Sequence, residues 1–257
     1  ELYGWPVSGV TTLTNGNILI AYRDGEDSST PYYGNFVIYD SAGNLVKSET
    51  TFSAGNTFYP SATTLTNGNI LITYTDDSSS YGNFVIYDSA GNLIKSETTF
   101  NNSGETRYVS ATTLTNGNVL IAYSENNSPY YGNFVIYDSS GNLIKSETTF
   151  NASETMYTSA TTLTNGNVLI AYSDGVSNGT FVIYDSSGNQ IKSATVFDSD
   201  NTESVSTITL TNGNFLISYL DASSSFSSRF VIYDSSGNLI KSETPVGVNS
   251  AGLSATN

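Results

Sequence analysis

Acidic and aromatic side chains recur at regular intervals along this chain of 257 residues. The acids recur about every 47 to 52 residues, at Asp24, Asp76, Glu125, Asp174 and Asp221. Aromatic residues accompany them at Trp5, Tyr33, Tyr59, Tyr81, Tyr108, Tyr131 and Tyr157. These residue types together suit sugars, because aromatic rings cover apolar C–H faces while carboxylates bind hydroxyl groups. The structural alternative is that the tyrosines pack between repeats and the acids cap strand ends.

An internal repeat sets this spacing. The string Thr-Leu-Thr-Asn-Gly-Asn starts at Thr12, Thr64, Thr113, Thr162 and Thr209. The string Phe-Val-Ile-Tyr-Asp starts at Phe36, Phe84, Phe134, Phe181 and Phe230. A period of roughly 50 residues is the length of one β-propeller blade.

The third repeat illustrates the four strands that each unit predicts. Segment 109–114 carries small side chains that suit a crowded axis, and Asn116-Gly117 predicts a two-residue type I′ turn after it. Segments 119–123 and 133–137 are continuously apolar, which indicates burial on both faces between stacked blades. Segment 143–150 is the fourth strand, after the Gly-bearing turn that starts at Asp138.

The chain is therefore predicted to be an all-β, five-bladed β-propeller with four antiparallel strands per blade and a repeat of about 49 residues. We expect one domain over 1–257, with blades at about 7–55, 56–104, 105–153, 154–200 and 201–247. A linear solenoid is the alternative. Residues 248–257 are either a tail that straps the ring junction or the start of a further unit, because Leu253-Ser254-Ala255-Thr256 resembles 109–112.

The two ends of such a propeller carry different residues. The turns between first and second strands and between third and fourth strands form the turn face, whose Asn and Asp residues repeat for backbone reasons. The remaining loops form the loop face, which varies between repeats and carries the acids and aromatics. We expect function on the loop face.

Composition excludes several classes of function. The net charge is −15 and only eight residues are Lys or Arg, which disfavours nucleic acid and anionic membrane surfaces. The chain has no Cys and no His, which excludes His-dependent triads and nearly all zinc or copper sites. No apolar run approaches the roughly 20 residues that span a bilayer, so no membrane insertion is expected. Few charged residues and many small polar ones are typical of secreted and cell-surface bacterial proteins.

No cofactor is expected, and a structural calcium ion is the one alternative. Calcium requires converging oxygen ligands. The best local cluster is Asp24-Gly25-Glu26-Asp27, which lacks the spacing of an EF-hand loop, and Asp198-Ser199-Asp200 is a weaker one.

The repeat resembles those of large secreted bacterial adhesin-like proteins. The resemblance is carried by Leu-x-Asn-Gly-Asn followed by alternating apolar residues and Tyr, and then by Tyr-Asp-x-x-Gly-Asn. The five-bladed architecture also resembles the tachylectin-type lectins, whose specific motif this chain does not contain. The resemblance implies a glycan-binding role.

The sequence thus favours a non-catalytic, multivalent carbohydrate-binding module, a lectin or adhesin, with glycans or surface proteins as partners and the recurrent acids and aromatics as ligand-binding residues. A structural repeat that makes protein–protein contacts is the alternative. A glycoside hydrolase is a minor alternative, because near-identical repeats supply near-identical environments for the two carboxylates that such an enzyme must differentiate. Acids that occur in single blades are the candidates for it: Glu26, Asp77 and Asp198.

Overall fold

The computed structural model describes residues 8–24, 32–126, 129–175 and 178–247. Over these ranges the chain forms twenty β-strands in five separate four-stranded antiparallel sheets, each with its strands in chain order. We number these sheets blades 1 to 5. The prediction of an all-β, five-bladed propeller is confirmed.

The strands occupy four positions in each blade. The first strands are β1 (Ser8–Thr12), β5 (Thr57–Thr64), β9 (Glu105–Thr113), β13 (Thr155–Thr162) and β17 (Thr202–Thr209). The second strands are β2 (Ile18–Asp24), β6 (Ile70–Asp76), β10 (Val119–Asn126), β14 (Val168–Asp174) and β18 (Phe215–Asp221). The third strands are β3 (Tyr33–Tyr39), β7 (Tyr81–Tyr87), β11 (Tyr130–Tyr137), β15 (Gly179–Tyr184) and β19 (Ser227–Tyr233). The fourth strands are β4 (Leu45–Ser53), β8 (Leu93–Asn101), β12 (Leu143–Asn151), β16 (Gln190–Asp198) and β20 (Leu239–Gly247).

The first hairpin of each blade differs from the predicted type I′ turn. In blade 3 the amide of Gly117 donates to the carbonyl of Leu114 at 3.0 Å, and the amide of Leu114 donates to the carbonyl of Asn118 at 2.8 Å. Gly117 has a φ of 90°, whereas Asn116 is not among the residues with positive φ. This is a type I turn closed by a glycine bulge, and the prediction of a type I′ turn was wrong. The side chain of Asn116 accepts a bond from the Asn118 amide, which stabilises this form.

The second hairpin is held by its aspartate. In blade 2 one carboxylate oxygen of Asp88 accepts bonds from the amides of Ala90 and Asn92, at 2.9 and 2.8 Å. The other oxygen accepts a bond from the Asn92 side chain at 2.9 Å. These bonds lower the pKa of Asp88, the backbone bond from Asn92 most. The same turn recurs with a lowered pKa at Asp40, Asp138, Asp185 and Asp234.

Consecutive blades pack face to face through the side chains of their second and third strands. Phe134 of blade 3 is fully buried, and its ring meets that of Tyr184 in blade 4 edge-on, with centroids 4.8 Å apart. Equivalent pairs join the other consecutive blades, as Phe36–Tyr87, Phe84–Tyr137 and Phe181–Tyr233. Four apolar clusters correspond to these four interfaces. Blade stacking explains why the second and third strands are apolar on both faces.

Small side chains link the first strands around the axis. The hydroxyl of Thr113 donates to the carbonyl of Thr64 in the preceding blade at 2.8 Å, and Thr162 donates to Thr113 in the same way at 2.8 Å. On the turn face, the Asn116 side chain donates to the carbonyl of Ser186 in the next blade. The repeated Asn and Thr residues are therefore parts of the frame, as the backbone interpretation predicts.

The seam, the junction of blade 5 with blade 1, is packed differently. Among the described residues, no apolar cluster or aromatic pair joins these two blades. Phe230 of blade 5 is half-buried, although its four counterparts are fully buried. Across the seam, Val10 of blade 1 is 58% exposed. Within the described ranges, apolar clusters fill the four junctions between consecutive blades, and no such cluster fills the seam.

Replacing one phenylalanine at a filled junction and its counterpart at the seam should have unequal effects. We expect Phe134→Ala to lower the free energy of unfolding by about 3–5 kcal/mol, because it removes a fully buried ring. Phe230→Ala should cost less than about half of that, since solvent already reaches its ring. Urea denaturation of both variants measures the difference, and equal losses would contradict it.

Acid should destabilise the fold through the second hairpins. A carboxyl whose folded pKa is depressed stabilises the fold above its unfolded pKa, and this stabilisation is lost as pH falls through the folded value. The melting temperature should therefore drop as pH falls below about 4, the ordinary aspartate value. Replacing the five turn aspartates by asparagine should make this drop shallower in thermal scans followed by circular dichroism. If the melting temperatures of the two proteins fell equally as pH is lowered, the turn aspartates would not be the cause of the acid destabilisation.

Candidate functional site

The recurrent acids at the ends of the second strands hold the loops that follow them. One oxygen of Asp76 accepts bonds from the amide and the hydroxyl of Ser78, at 2.9 and 2.7 Å. Glu125 is 2% exposed and accepts bonds from the side chains of Asn133 and Ser103. These contacts favour the capping interpretation for both acids.

The remaining acids of this set follow the same pattern in part. Asp174 accepts bonds from the amide and the side chain of Asn178, at 2.9 and 3.2 Å. Asp221 is 1% exposed and lies 2.9 Å from the guanidinium of Arg229. Burial acts to raise the pKa of Asp221, but bonds from Ser223 and Ser224 together with the charge of Arg229 outweigh it and lower the pKa. Asp24 is exposed at the end of β2.

Three of the predicted aromatics meet in one row near the start of the first strands. The ring centroids of Tyr59 and Tyr108 are 5.3 Å apart, and those of Tyr108 and Tyr157 are 5.1 Å apart. All three residues have φ between 49° and 53°, a conformation that costs a residue with a β-carbon about 1 kcal/mol or more. Burial raises the pKa of each phenol, which keeps the row uncharged. We name Tyr59, Tyr108 and Tyr157 the tyrosine row.

A β-bulge produces this conformation. The pairing of β5 with β6 shifts between Phe58 and Ser61, and the first strands of blades 3, 4 and 5 shift at the equivalent place. Bulges re-aim a side chain out of the regular alternation of a strand. Here the re-aimed side chains are the tyrosines, with Ser204 in the equivalent position of blade 5.

The other predicted aromatics do not join the row. Tyr33 and Tyr81 are 40% and 39% exposed at the starts of their third strands, opposite Asp24 and Asp76 in the strand register. Tyr131 is half-buried opposite Glu125. Trp5 lies outside the described residues. A ligand-binding role for these residues remains a prediction.

A cleft of about 260 Å³ opens on the loop face between blades 2 and 3. Its lining includes Phe58, Tyr59, Asp77, Ser80, Glu105 and Arg107. The backbone closes its floor, since the Thr106 amide of blade 3 donates to the Ser80 carbonyl of blade 2 at 2.9 Å. One end of the tyrosine row thus borders a recess that residues of two blades form together.

Two carboxylates from neighbouring blades flank this cleft, and each is held differently. Glu105 is half-buried, and its first carboxylate oxygen lies 2.7 Å from the Arg107 guanidinium. Its second oxygen accepts a bond from the Asn126 side chain at 3.2 Å. Asp77 is exposed and accepts one side-chain bond, from Asn56 at 3.3 Å.

The pair of acids breaks the symmetry of the repeat. In the repeat register, Asp77 has Asn126, Gly175 and Ala222 as counterparts, whereas Glu105 has Asn56, Glu154 and Asn201. Among the described clefts, the one between blades 2 and 3 is therefore the one that combines an acid from each side. The recess between blades 3 and 4 has about 60 Å³ and is lined by Glu154 and Met156.

Sequence reasoning missed Arg107 and Phe58 as site residues. The guanidinium of Arg107 lies 5.2 Å from the Tyr130 ring centroid, and that of Arg23 lies 4.9 Å from the ring of Phe58. One sequence signal could have identified them: this register position carries a different residue in each blade, whereas most of the repeat is nearly identical. Successive blades carry Phe58, Arg107, Met156 and Glu203 at one register position.

The weaker calcium candidate is occupied by internal contacts. Asp198 is 4% exposed and accepts a bond from the Thr202 hydroxyl at 2.6 Å. In the part of the chain that the structure describes, no group of three or more acidic residues is arranged to hold a metal ion. Residues 25–27, which include Glu26, lie outside that part.

A family model described as a secretion system C-terminal sorting domain matches residues 164–233, in blades 4 and 5. The match covers less than half of the chain and indicates a secreted or cell-surface protein, which confirms the predicted localisation. A comparison with curated protein sequences finds no match. The described ranges contain no helix with the length and hydropathy to cross a bilayer.

Solved structures share the propeller fold at low sequence identity. A protein of unknown function from Dyadobacter fermentans has a TM-score of 0.66 at 12% identity, over 95% of this chain and 83% of that one. An α-L-arabinofuranosidase from Clostridium thermocellum has a TM-score of 0.54 at 12% identity, over 93% and 94%. A mutant α-L-arabinofuranosidase from Fusarium graminearum has a TM-score of 0.60 at 10% identity, over 79% and 67%.

These comparisons correct the functional prediction. The expectation of a non-catalytic lectin or adhesin was wrong, because several similar propellers of known activity, two arabinofuranosidases and a sialidase among them, are carbohydrate-acting enzymes. The comparisons show no relationship to adhesin-like repeats or to tachylectin-type lectins, and they give no support to surface proteins as partners. Glycans remain the partner class that they favour.

The backbone strain of the tyrosine row can be measured. Tyr108→Gly and Tyr108→Ala remove the same ring, but glycine adopts a φ near 49° without the steric cost that alanine has. We expect the glycine variant to be more stable than the alanine variant by about 1 kcal/mol in urea denaturation. An alanine variant of equal or greater stability would show that the bulge relaxes when the ring is removed.

Proposed function

We propose that this secreted or cell-surface protein is an enzyme that cleaves glycosidic bonds, with its active site in the cleft between blades 2 and 3. The observation that carries the proposal is the meeting of Asp77 and Glu105, from two blades, in one aromatic-lined recess. Most glycoside hydrolases act through such a pair of carboxylic acids. The similar propellers that cleave glycosides support the same conclusion.

The recess suits one sugar unit of a longer chain. Its volume of about 260 Å³ is just below the range of roughly 300–1,000 Å³ that is usual for small-molecule sites. The half-buried rings of Phe58 and Tyr59 offer apolar faces for the sugar ring. Ser80 and Arg107 supply polar groups for its hydroxyls. The rest of a polymer would extend over the open loop face.

The two acids have the unequal surroundings that this chemistry requires. The Arg107 guanidinium and the Asn126 side chain both bind the Glu105 carboxylate at the wall of the cleft, and we assign Glu105 as the nucleophile or base. Asp77 belongs to the other blade, is exposed and has no cationic partner among the described residues, and we assign it as the proton donor. The Asn126 bond fixes the orientation of the Glu105 carboxylate towards the cleft.

The near-identity of the repeats is no obstacle to this assignment. The frame positions repeat in every blade, whereas the registers of Asp77, Glu105 and Arg107 carry different residues from blade to blade. Unequal environments therefore arise at the loop face without any change in the frame.

Hydrolysis should depend on both acids. We expect Asp77→Asn and Glu105→Gln each to lower kcat/KM by about 10²–10⁴-fold on a substrate found by screening aryl glycosides and polysaccharides for released reducing sugar. Thermal unfolding of both variants should remain close to that of the unsubstituted protein, because Asp77 is exposed and the half-buried Glu105 pairs with Arg107 at a solvent-accessible site.

Glu154→Gln is the matched control, since Glu154 occupies the register of Glu105 one blade further on and lines a recess of only about 60 Å³. Its kcat/KM should remain within about twofold of that of the unsubstituted protein. Unchanged hydrolysis in both Asp77→Asn and Glu105→Gln, or an equal loss in Glu154→Gln, would exclude this cleft as the active site.

A further inference from the structure

The seam exposes two apolar sheet faces. On blade 5, Leu216, Phe230 and Ile232 are half-buried, whereas their counterparts in blades 1 to 4 are no more than 1% exposed. On blade 1, Ile18 and Val37 are half-buried, whereas their counterparts in blades 2 to 5 are no more than 2% exposed. Each set lies on the side of its blade that faces the seam.

Each of the two faces carries the same residue types as one side of the interface that joins consecutive blades at four junctions. At each filled junction a phenylalanine of one blade meets a tyrosine of the next, as Phe181 meets Tyr233 with centroids 4.9 Å apart. A lysine of the fourth strand also lies against the turn glycine of the next blade, as Lys192 lies against Gly237. Gly43 is the counterpart of that glycine in blade 1. A β-carbon placed on Gly43 would have no atom within 4 Å apart from those of its chain neighbours.

The four filled junctions set the rotation from one blade to the next, and within the described residues no such apolar junction joins blade 5 to blade 1. Identical interfaces impose one rotation at every junction, so five blades would close the ring only if five such rotations made a full circle. Among the described residues, the half-buried side chains on both sides of the seam fit a total rotation that falls short of the full circle. The space that remains has the chemistry of a missing blade on both sides.

The sequence supplies the start of such a blade in register. Residues 60, 109, 158 and 205 occupy one register position, at steps of 49, 49 and 47 residues, and the next step of 48 leads to Leu253. The sequence Ser254-Ala255 then repeats Ser110-Ala111. In blades 2 to 4 the alanine at this position packs on the cluster that it shares with the preceding blade. Residues 248–257 lie outside the described part of the chain.

We propose that the seam is a docking site for a sixth unit of this same repeat, joined to the chain in register with Leu253, which fills the space between blades 5 and 1. The unit presents its Val, Ile and Tyr side chains to Phe230 and Ile232. It presents its own Phe and Leu side chains to Val10, Ile18 and Val37. This proposal is independent of the chemistry assigned to the cleft between blades 2 and 3.

The test is a chain in which residues 113–153 are fused directly after Thr256, which completes a unit that starts at Leu253. We expect its melting temperature to exceed that of the 257-residue chain by at least about 5 °C, at a mass that light scattering shows to be monomeric. The matched control is the same extension with the copies of Ile121 and Val135 both changed to Asp, which cannot pack on blade 5. It should give no increase.

A thiol probe reports coverage directly, because the chain has no cysteine of its own. The cysteine of Phe230→Cys should react quickly with a maleimide in the 257-residue chain and in the Asp-bearing control, and at least tenfold more slowly in the extended chain. An unprotected thiol or an unchanged melting temperature in the extended chain would overturn the proposal. So would a thiol that is already protected in the 257-residue chain, whether as a monomer closed on itself or through a second copy at higher concentration.

Discussion

Face-to-face packing of apolar strands between consecutive blades is the interaction on which the rest of this structure depends. A single four-stranded sheet of this kind has two apolar faces and cannot bury both alone. The Phe134–Tyr184 contact and its equivalents bury one face of each neighbour and fix the orientation of one blade against the next. The clefts of the loop face exist because this packing brings residues from two blades together. Asp77 and Glu105, which belong to different blades, share a recess for this reason.

The frame and the functional surface follow different rules. Frame residues such as Asn116 and Thr113 repeat because each bonds the neighbouring blade or its own turn. At the loop end the backbone hydrogen bonds persist, but the side chains beside them change from blade to blade. The protein thus keeps one architecture while it varies the chemistry of each cleft. Arg107, which pairs with Glu105 where other blades have Phe58 or Met156, is the clearest instance.

The sequence predicted the architecture because its signals are local. The Asn-Gly hairpins, the apolar second and third strands and the repeat length all act within one unit. The turn type was predicted wrongly, since the side chain of Asn116 accepts a bond from the Asn118 amide and only Gly117 of the two residues has positive φ. The recurrent acids were predicted to bind a ligand, yet Asp76 and Glu125 accept hydrogen bonds that hold loops. Their recurrence in the sequence is compatible with either role.

The cleft could not be predicted from the spacing of residues in the repeat, because its two acids come from different blades. Other junctions do not have acids at both of these register positions. Asp77 was identifiable as an acid present in a single blade, but its partner depends on how blade 3 docks on blade 2. The tyrosine row likewise depends on a bulge that turns Tyr108 out of the strand alternation. The bulge lies within each blade, but the pairing of the two acids and the meeting of the three tyrosine rings both require packing between blades.

Interchangeable junctions also have a consequence for how such a chain arises and folds. Because every filled junction joins the same two kinds of face, duplication or deletion of one whole repeat in the gene leaves each remaining contact compatible with its new neighbour. Blade number can therefore change through recombination without compensating substitutions in the core. The same property allows a folding chain to pair blades that are not consecutive. Their order is then enforced by the short connections, such as the one between β8 and β9, and not by any difference in the faces themselves.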